Sequence, residues 1–360
     1  MSQTHIWLRA ETKPQEQRTA LTPAGAKTLI DAGFKLTIEQ GEQNIFDIAQ
    51  YKSLNCDIAQ QGDWQNAPAN AIILGLKELP EADFPLTHKH IYFAHCYKEQ
   101  AGAEQILSRF VRGGGELYDL EFLLDDHNRR IAAFGYWAGF AGAALAVWTW
   151  ANKQLGLTPL EPVVSQPDKG MLIDAVGALL AKCNSKPIVM VIGAKGRSGS
   201  GAIGLAKELG LETIEWDMAE TAKGGPFTEI NQADIFVNCV LVNQDLPPFL
   251  TMESLSDNSR KLSVIADVSC DPYGDYNPVR IYNDCTTFAQ PTIEIQAGNN
   301  DLHLIAIDHL PSLLPKESSE DYGEQLVPYL ATLNDLSDDV WAKANTIFQE
   351  KTNTIVEDLK

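Results

Sequence analysis

Two short apolar runs end in side chains that can carry protons. Residues 71–76 (AIILGL) lead into Lys77, and residues 91–94 (IYFA) lead into His95. If both runs are parallel strands, both side chains stand at carboxyl ends, the edge at which open α/β sheets bind ligands. A lysine and a histidine in one cleft repel each other as cations. Each therefore depresses the other's pKa, and either can serve as acid or base near neutrality. Taken singly, Lys77 reads as a solvated charge after a strand, and His95 is as readily a core histidine bonded to backbone as a catalyst. Their matched placement favours chemistry.

A second place is built for an anion. An apolar run from Ile188 meets Gly193-x-x-Gly196-x-x-Gly199-x-Gly201 and then an amphipathic helical pattern. Strand, glycine turn and helix in that order cradle phosphate, because backbone N–H groups can approach the ligand and the helix N-terminus favours negative charge. The spacing is a variant of G-x-G-x-x-G and is not diagnostic alone. The next strand ends in Asp217, where a dinucleotide-binding unit places the acid that bonds a ribose. A carboxylate there repels a 2′-phosphate, so NAD is expected rather than NADP. The competing reading makes the glycines a tight turn and Asp217 the cap of the following helix. Arg197, inside the loop, either lies over a pyrophosphate or reaches solvent.

Positive charge is scarce, with 28 Lys and Arg against 48 Asp and Glu, a net charge of −20. Arg18, Lys98, Arg129 and Arg130 fall in segments near the predicted cleft, where a dicarboxylate would need them against the negative field. Arg129 and Arg130 read equally as an exposed hairpin turn. The same field excludes nucleic acid and membrane partners in the absence of a basic patch, and no Lys/Arg run supplies one. The opening MSQTHIWLRAETKP lacks a basic start followed by an apolar core, and no apolar stretch reaches spanning length, so a cytoplasmic protein is expected. Cys56, Cys96, Cys183, Cys239, Cys270 and Cys285 show no CxxC spacing. Reduced thiols are expected, with no zinc site or disulfide framework.

These groups need a scaffold. At 360 residues and 44% hydrophobic content the chain exceeds what one core usually organises, so two domains are expected. Strands at 4–10, 35–40, 71–76 and 91–94 alternate with helical patterns such as 23–34, and a second series follows at 188–193, 212–217, 234–240, 262–269 and 302–308. That alternation predicts α/β architecture in two halves, each with a largely parallel sheet. Residues 116–137 read as two strands around the polar turn DDHNRR. The small-residue-rich stretch 138–156 reads as a long helix capped by Gly156, 157–170 as a surface connection, and the chain after Pro315 as helices that return to the first lobe. The expected division is 1–136 plus 318–360 for the substrate lobe and 137–317 for the NAD lobe.

The segments RAETKPQEQRTALTP, ILGLKELP, YFAHCYKEQAG, LYDLEFL, NRRIAAFGYWAGFAGAALA, GAKGRSGSGA, KGGPF and IAIDHLPSLLP together resemble saccharopine dehydrogenase of the NAD-dependent, lysine-forming type, within the wider alanine dehydrogenase and transhydrogenase group. The resemblance runs from Leu8 to Pro315 and implies an α/β fold of two Rossmann-like lobes with parallel sheets around a central cleft. It implies that Lys77 and His95 are the acid–base pair. Arg18, Gln100, Arg130, Phe134, Ser269, Cys270 and Asp271 match substrate-contacting positions. Arg129, Gly196, Arg197, Asp217, Thr221, Val268, Ile307, Asp308, His309 and Leu310 match cofactor positions. On sequence alone Asp308 and His309 could be a helix cap and a structural histidine. Two positions depart from the pattern. Ser198 stands where relatives can carry a cysteine, so a disulfide from there to Cys239 is impossible, and Leu241 stands where a tyrosine can contact the cofactor.

The implied reaction is reversible oxidation of saccharopine to lysine and 2-oxoglutarate. Lys77 deprotonates the secondary amine, and His95 moves protons during imine hydrolysis, while arginines hold the carboxylates so that the Cα–H is positioned for transfer. Small-molecule substrates and a monomer are expected. The rival readings are another amino-acid or opine-type dehydrogenase, such as alanine dehydrogenase, and a non-catalytic NAD sensor.

Overall fold

The structure, a computed structural model, describes residues 3–358 apart from 99, 243, 244, 258, 299, 300 and 338. The chain divides into two compact units, Met1–Ala133 with Pro315–Lys360, and Phe134–Leu314.

The first unit begins β1 (His5–Leu8), α1 (Pro23–Asp31), β2 (Lys35–Gln40), α2 (Ile48–Ser53), β3 (Asp57–Gln60), β4 (Ala71–Leu74), β5 (Lys89–Tyr92), α3 (Ala103–Gly113) and β6 (Glu116–Asp119). The strands form one sheet in the order β3-β2-β1-β4-β5-β6, every pair parallel. The order reverses between β1 and β4, the switch point at which such sheets open a crevice for ligands. Continuous apolar runs such as AIIL in β4 are buried on all four residues, as a sheet covered on both faces requires. Helix α1 starts where the sequence asks it to: Thr22 Oγ1 accepts the Gly25 N–H and Pro23 takes the first helical position.

The second unit comprises α4 (Gly135–Gln154), α5 (Lys169–Leu180), β7 (Ile188–Ile192), α6 (Arg197–Glu208), β8 (Glu212–Trp216), α7 (Met218–Thr221), β9 (Ile235–Asn238), β10 (Val264–Asp267), β11 (Ile293–Glu294) and β12 (His303–Ile305). Its sheet runs β11-β12-β10-β9-β7-β8, parallel except for the short β11. Helix α4 is buried almost throughout, and its glycines let neighbours approach. A Cβ on Gly139 would lie 1.7 Å from Ser198 O, and one on Gly142 would press on Val268 and Leu310. Gly156, at φ +66°, follows the helix in the left-handed conformation that L side chains disfavour.

After the second unit the chain re-enters the first through α8 (Pro315–Leu330) and α9 (Asp339–Asp358). Ser319 Oγ accepts the Thr19 N–H, and the Trp341 ring lies edge-on to Tyr118.

The second strand expected within 116–137 does not form. Asp125 accepts the N–H groups of His127 and Arg129 through one carboxylate oxygen, a tight polar turn that leaves the rung Leu124 to Arg130 and the bonds from Asp125 N to Arg129 O and from Ile131 N to Leu123 O. Local side-chain bonding closes the hairpin before a ladder can extend. Strands β3 and β11 have too little apolar alternation to be read from sequence, and both take their conformation from the edge they complete.

Candidate active site

At the carboxyl edge of the first unit's sheet the chain leaves β4 through Leu76 and Lys77. The Glu11 carboxylate accepts both backbone N–H groups, Leu76 at 2.7 Å and Lys77 at 2.9 Å, while Arg9, 3.4 Å from Glu11, donates to the Lys77 carbonyl. Lys77 is thus fixed by its backbone. Burial lowers its ammonium pKa from the ordinary lysine value and the nearby Arg18 guanidinium lowers it further, against the opposing pull of Glu16 and Glu78. A neutral amine is accordingly more accessible here than in water.

His95 leaves β5 with φ +49°, a left-handed residue without glycine's freedom, and its ring stacks against Phe93. Nδ1 lies 2.6 Å from Glu78 Oε1, while Lys13 reaches the other Glu78 oxygen at 3.3 Å. Burial raises the Glu78 carboxyl, but the His95 hydrogen bond and the neighbouring cations outweigh it and carry the pKa well below the usual carboxylate range. An ionised Glu78 accepting from Nδ1 leaves Nε2 as the nitrogen that exchanges protons. A cavity of about 160 Å³ opens beside Glu78 and His95, lined also by Tyr92 and Arg109.

The cations predicted for substrate carboxylates are all engaged. Arg18 is buried and forks onto Glu16, Nε to Oε1 at 2.8 Å and Nη2 to Oε2 at 2.6 Å. Lys98 and Arg130 converge on Glu121 Oε1 at 2.8 Å and 2.6 Å. Gln100 Oε1 accepts the Lys98 N–H. Arg129 is exposed and turns back onto Asp125, which is the hairpin-turn alternative. Below Glu121 the fully buried Asp119 accepts its N–H at 2.8 Å; burial first, then repulsion by Glu121, pushes the Asp119 carboxyl up to about 6. Glu16, Glu78, Asp119 and Glu121 were missed from sequence. The string KE at 77–78 carried a signal for Glu78: it follows Lys77 at the edge where His95 also emerges, on the adjacent strand.

In the second unit the glycine loop divides its work. Gly193 has φ +89°, and Gly196 is the N-cap of α6. A Cβ on Gly199 would sit 2.1 Å from Gly193 O, and one on Gly201 would sit 1.8 Å from Tyr136 O. These last two glycines serve the packing of α6 on the loop and on α4, so only the first part of the motif is bare backbone for a ligand. Asp217, at the end of β8, accepts Lys195 N at 2.8 Å and Met218 N at 2.9 Å, and its own N–H donates to Glu220 in a capping box. The capping alternative therefore holds, yet a carboxylate accepting two bonds keeps lone pairs for ribose hydroxyls. Gly193, Gly196, Asp217, Thr221 and Leu241 line a cavity of about 700 Å³. Arg197 is exposed.

Along the same edge Ser269 Oγ donates to Asp267 at 2.6 Å and Asn238 donates to both. Val268 and Leu310 pack on Gly142, Ile307 is buried and bridges Thr286, and the His309 ring lies against Phe288. Asp308 is exposed, Asp271 folds against Gly274, and Phe134 precedes α4 as its N-cap. Cys239 is a free thiol, raised by burial, and Leu241 is 68% exposed at the cavity rim. No cluster of metal-binding side chains occurs among the described residues.

Residues 7–141 match the family description "Alanine dehydrogenase/PNT, N-terminal domain", and residues 227–358 match "Alanine dehydrogenase/PNT, C-terminal domain". The chain is 50% identical to "Saccharopine dehydrogenase [NAD(+), L-lysine-forming]" of Emericella nidulans over 99% of both chains. It is 48% identical to the protein of the same description from Schizosaccharomyces pombe, over 96% of this chain and 97% of that one. Among solved structures an L-alanine dehydrogenase superposes with a TM-score of 0.69 over 98% of this chain and 100% of its own, at 17% identity, a likeness of fold.

Proposed function

The chain belongs to the NAD-dependent, lysine-forming saccharopine dehydrogenase family, and from that premise we propose that it interconverts saccharopine with L-lysine and 2-oxoglutarate, with proton transfer assigned to the first unit and cofactor binding to the second. The residues of the second unit suit NAD: a left-handed glycine and a helix N-terminus for the pyrophosphate, and a carboxylate at the end of β8 for the ribose. Bound by these residues, NAD would supply the hydride acceptor.

Lys77, its charged form disfavoured by burial and by Arg18, takes the proton from the secondary amine of saccharopine, which must be neutral before its Cα–H can leave. His95 Nε2 then removes a proton from the water that adds to the substrate imine, and returns it as the carbinolamine collapses. Glu78 holds the ring in the orientation and protonation that this requires. Arg18 and Arg130 recognise substrate carboxylates by exchanging part of their bonding to Glu16 and Glu121, which keeps the buried Arg18 and the exposed Arg130 paired when substrate is absent. Gln100, Phe134, Ser269, Cys270 and Asp271 complete the substrate contacts; Arg129, Arg197, Thr221, Val268, Ile307, Asp308, His309 and Leu310 complete those to the cofactor. The protein acts as a monomer in the cytoplasm. No helix among the described residues is long and apolar enough to cross a membrane.

The observation that carries this reading is the pair formed by a half-buried Lys77 and a Glu78-bonded His95 at one sheet edge. Saccharopine-dependent formation of NADH tests it, with alanine as the competing substrate. Lys77→Met and His95→Gln should each lose about 10²–10⁴-fold in turnover with NADH affinity, followed by fluorescence, nearly unchanged. Turnover of alanine in preference, or wild-type rates in both variants, would overturn it.

A further inference from the structure

Cys270 and Cys285 are 15 positions apart in the chain, yet their sulfurs approach to 3.1 Å. Both are half-buried free thiols, and theirs is the only sulfur–sulfur contact among the described residues. Three ties hold the two backbones in place. The Thr286 N–H, next to Cys285, donates to Ala306 O at 2.7 Å beside β12. Tyr282 donates to Asp267 at the end of β10, at 2.7 Å. Tyr273 donates to Asp284 at 3.2 Å across the loop between the two cysteines. Cys270 itself has φ +46°, a conformation that L side chains rarely adopt and that sends its side chain towards the partner loop. The approach is thus set by the scaffold at the carboxyl edges of β10 and β12.

We propose that Cys270 and Cys285 form a reversible modification site, a dithiol that low-molecular-weight disulfides such as glutathione disulfide convert to an intramolecular disulfide, slowing turnover. The thiolate of Cys285 attacks a glutathione disulfide sulfur, forming a mixed disulfide and releasing one glutathione, which takes up a proton, while burial holds Cys270 as the thiol that resolves it. The second cysteine loses its proton, attacks the protein-side sulfur of the mixed disulfide and expels the second glutathione. Two protein S–H bonds are oxidised by two electrons, and one small disulfide is reduced to two thiols. The 3.1 Å contact must shorten by about 1 Å to bond length. That displacement acts on Cys270 between Ser269 and Asp271. Its effect on turnover rests on the substrate role proposed for those residues; the cross-link does not.

The test treats the full chain with excess glutathione disulfide, alkylates remaining thiols, maps peptides by mass and assays saccharopine-dependent NADH formation. The expected product joins the peptides of Cys270 and Cys285, lacks the mass of two hydrogen atoms and carries no glutathione. Turnover falls about tenfold or more, as misplacement of positioning groups by about 1 Å produces, and dithiothreitol restores it. Cys285→Ala and Cys285→Ser keep their turnover in the presence of the oxidant. Alkylation of both sulfurs after prolonged exposure, glutathione retained on either, or equal inhibition of the Cys285 variants overturns the proposal. A cross-link with unchanged turnover overturns the switch. A cross-link in a chain without any saccharopine turnover leaves the site standing and removes the proposed reaction.

Discussion

At the carboxyl edge of the first sheet the groups proposed to act on substrate are charged side chains held in pairs: Arg18 on Glu16, His95 on Glu78, Lys98 and Arg130 on Glu121. At the same edge of the second sheet the groups proposed to hold NAD are largely absences of side chain, Gly193 in a left-handed turn and Gly196 at a helix start, with Asp217 proposed for the ribose. Both sheets are parallel, apart from the short β11, and doubly covered, so topology does not explain the contrast. The demands do. Moving protons needs titratable groups whose pKa is set by burial and neighbours. Holding a pyrophosphate needs N–H groups brought close, which any Cβ would prevent.

Breaking the first kind of edge should cost more than breaking the second. Glu16→Leu removes the carboxylate onto which the buried Arg18 guanidinium forks, and is expected to destabilise the fold by about 3–5 kcal/mol in urea unfolding. Gly201→Ala places a methyl against Tyr136 O and is expected to cost about 1–3 kcal/mol by the same measurement. The reverse ranking would show that backbone approach, rather than charge pairing, is the more demanding device.

Titration sharpens the comparison. Oxidative turnover should rise with pH as Lys77 deprotonates and level off above its lowered pKa. Glu78 raises that pKa and Arg18 lowers it. Profiles of kcat/KM against pH should therefore move towards acid in Glu78→Gln and towards alkali in Arg18→Leu. Glu78→Gln should also slow turnover, by less than the roughly 10²–10⁴-fold that follows loss of an acid–base group outright. The smallest effect is expected in the second unit. Asp217→Asn keeps an acceptor and should raise the NADH dissociation constant by up to about tenfold, with the pH profile unmoved.

Much of the fold was legible because hydrophobic period and turn chemistry agree. The runs that became β4 and β7 are apolar throughout, those of β9 and β10 are apolar up to the closing Asn238 and Asp267, β5 begins at Lys89, two residues before the apolar run read as a strand, and Thr22-Pro23 and Gly156 mark helix ends that the structure keeps. The hairpin near 125–130 was over-read, since Asp125 bonds its own loop in preference to a ladder. The saccharopine dehydrogenase resemblance was legible in motifs spread over nearly the whole chain, and identity over 99% of its length to the Emericella relative agrees with it. The carboxylate partners were not legible. Glu16 and Glu121 look like ordinary surface acids in a chain with 48 of them, and nothing local says which ones turn inward.

By itself, then, the sequence determined the order of strands and helices, the glycine loop and the positions of Lys77 and His95, because period, turn preference and motif spacing act over a few residues. The tertiary structure alone decided that Glu78 meets His95, that Gly199 and Gly201 serve packing, and that Cys270 meets Cys285. Those outcomes depend on which strand ends become neighbours across a sheet, and pairing between distant segments leaves no local mark in the chain.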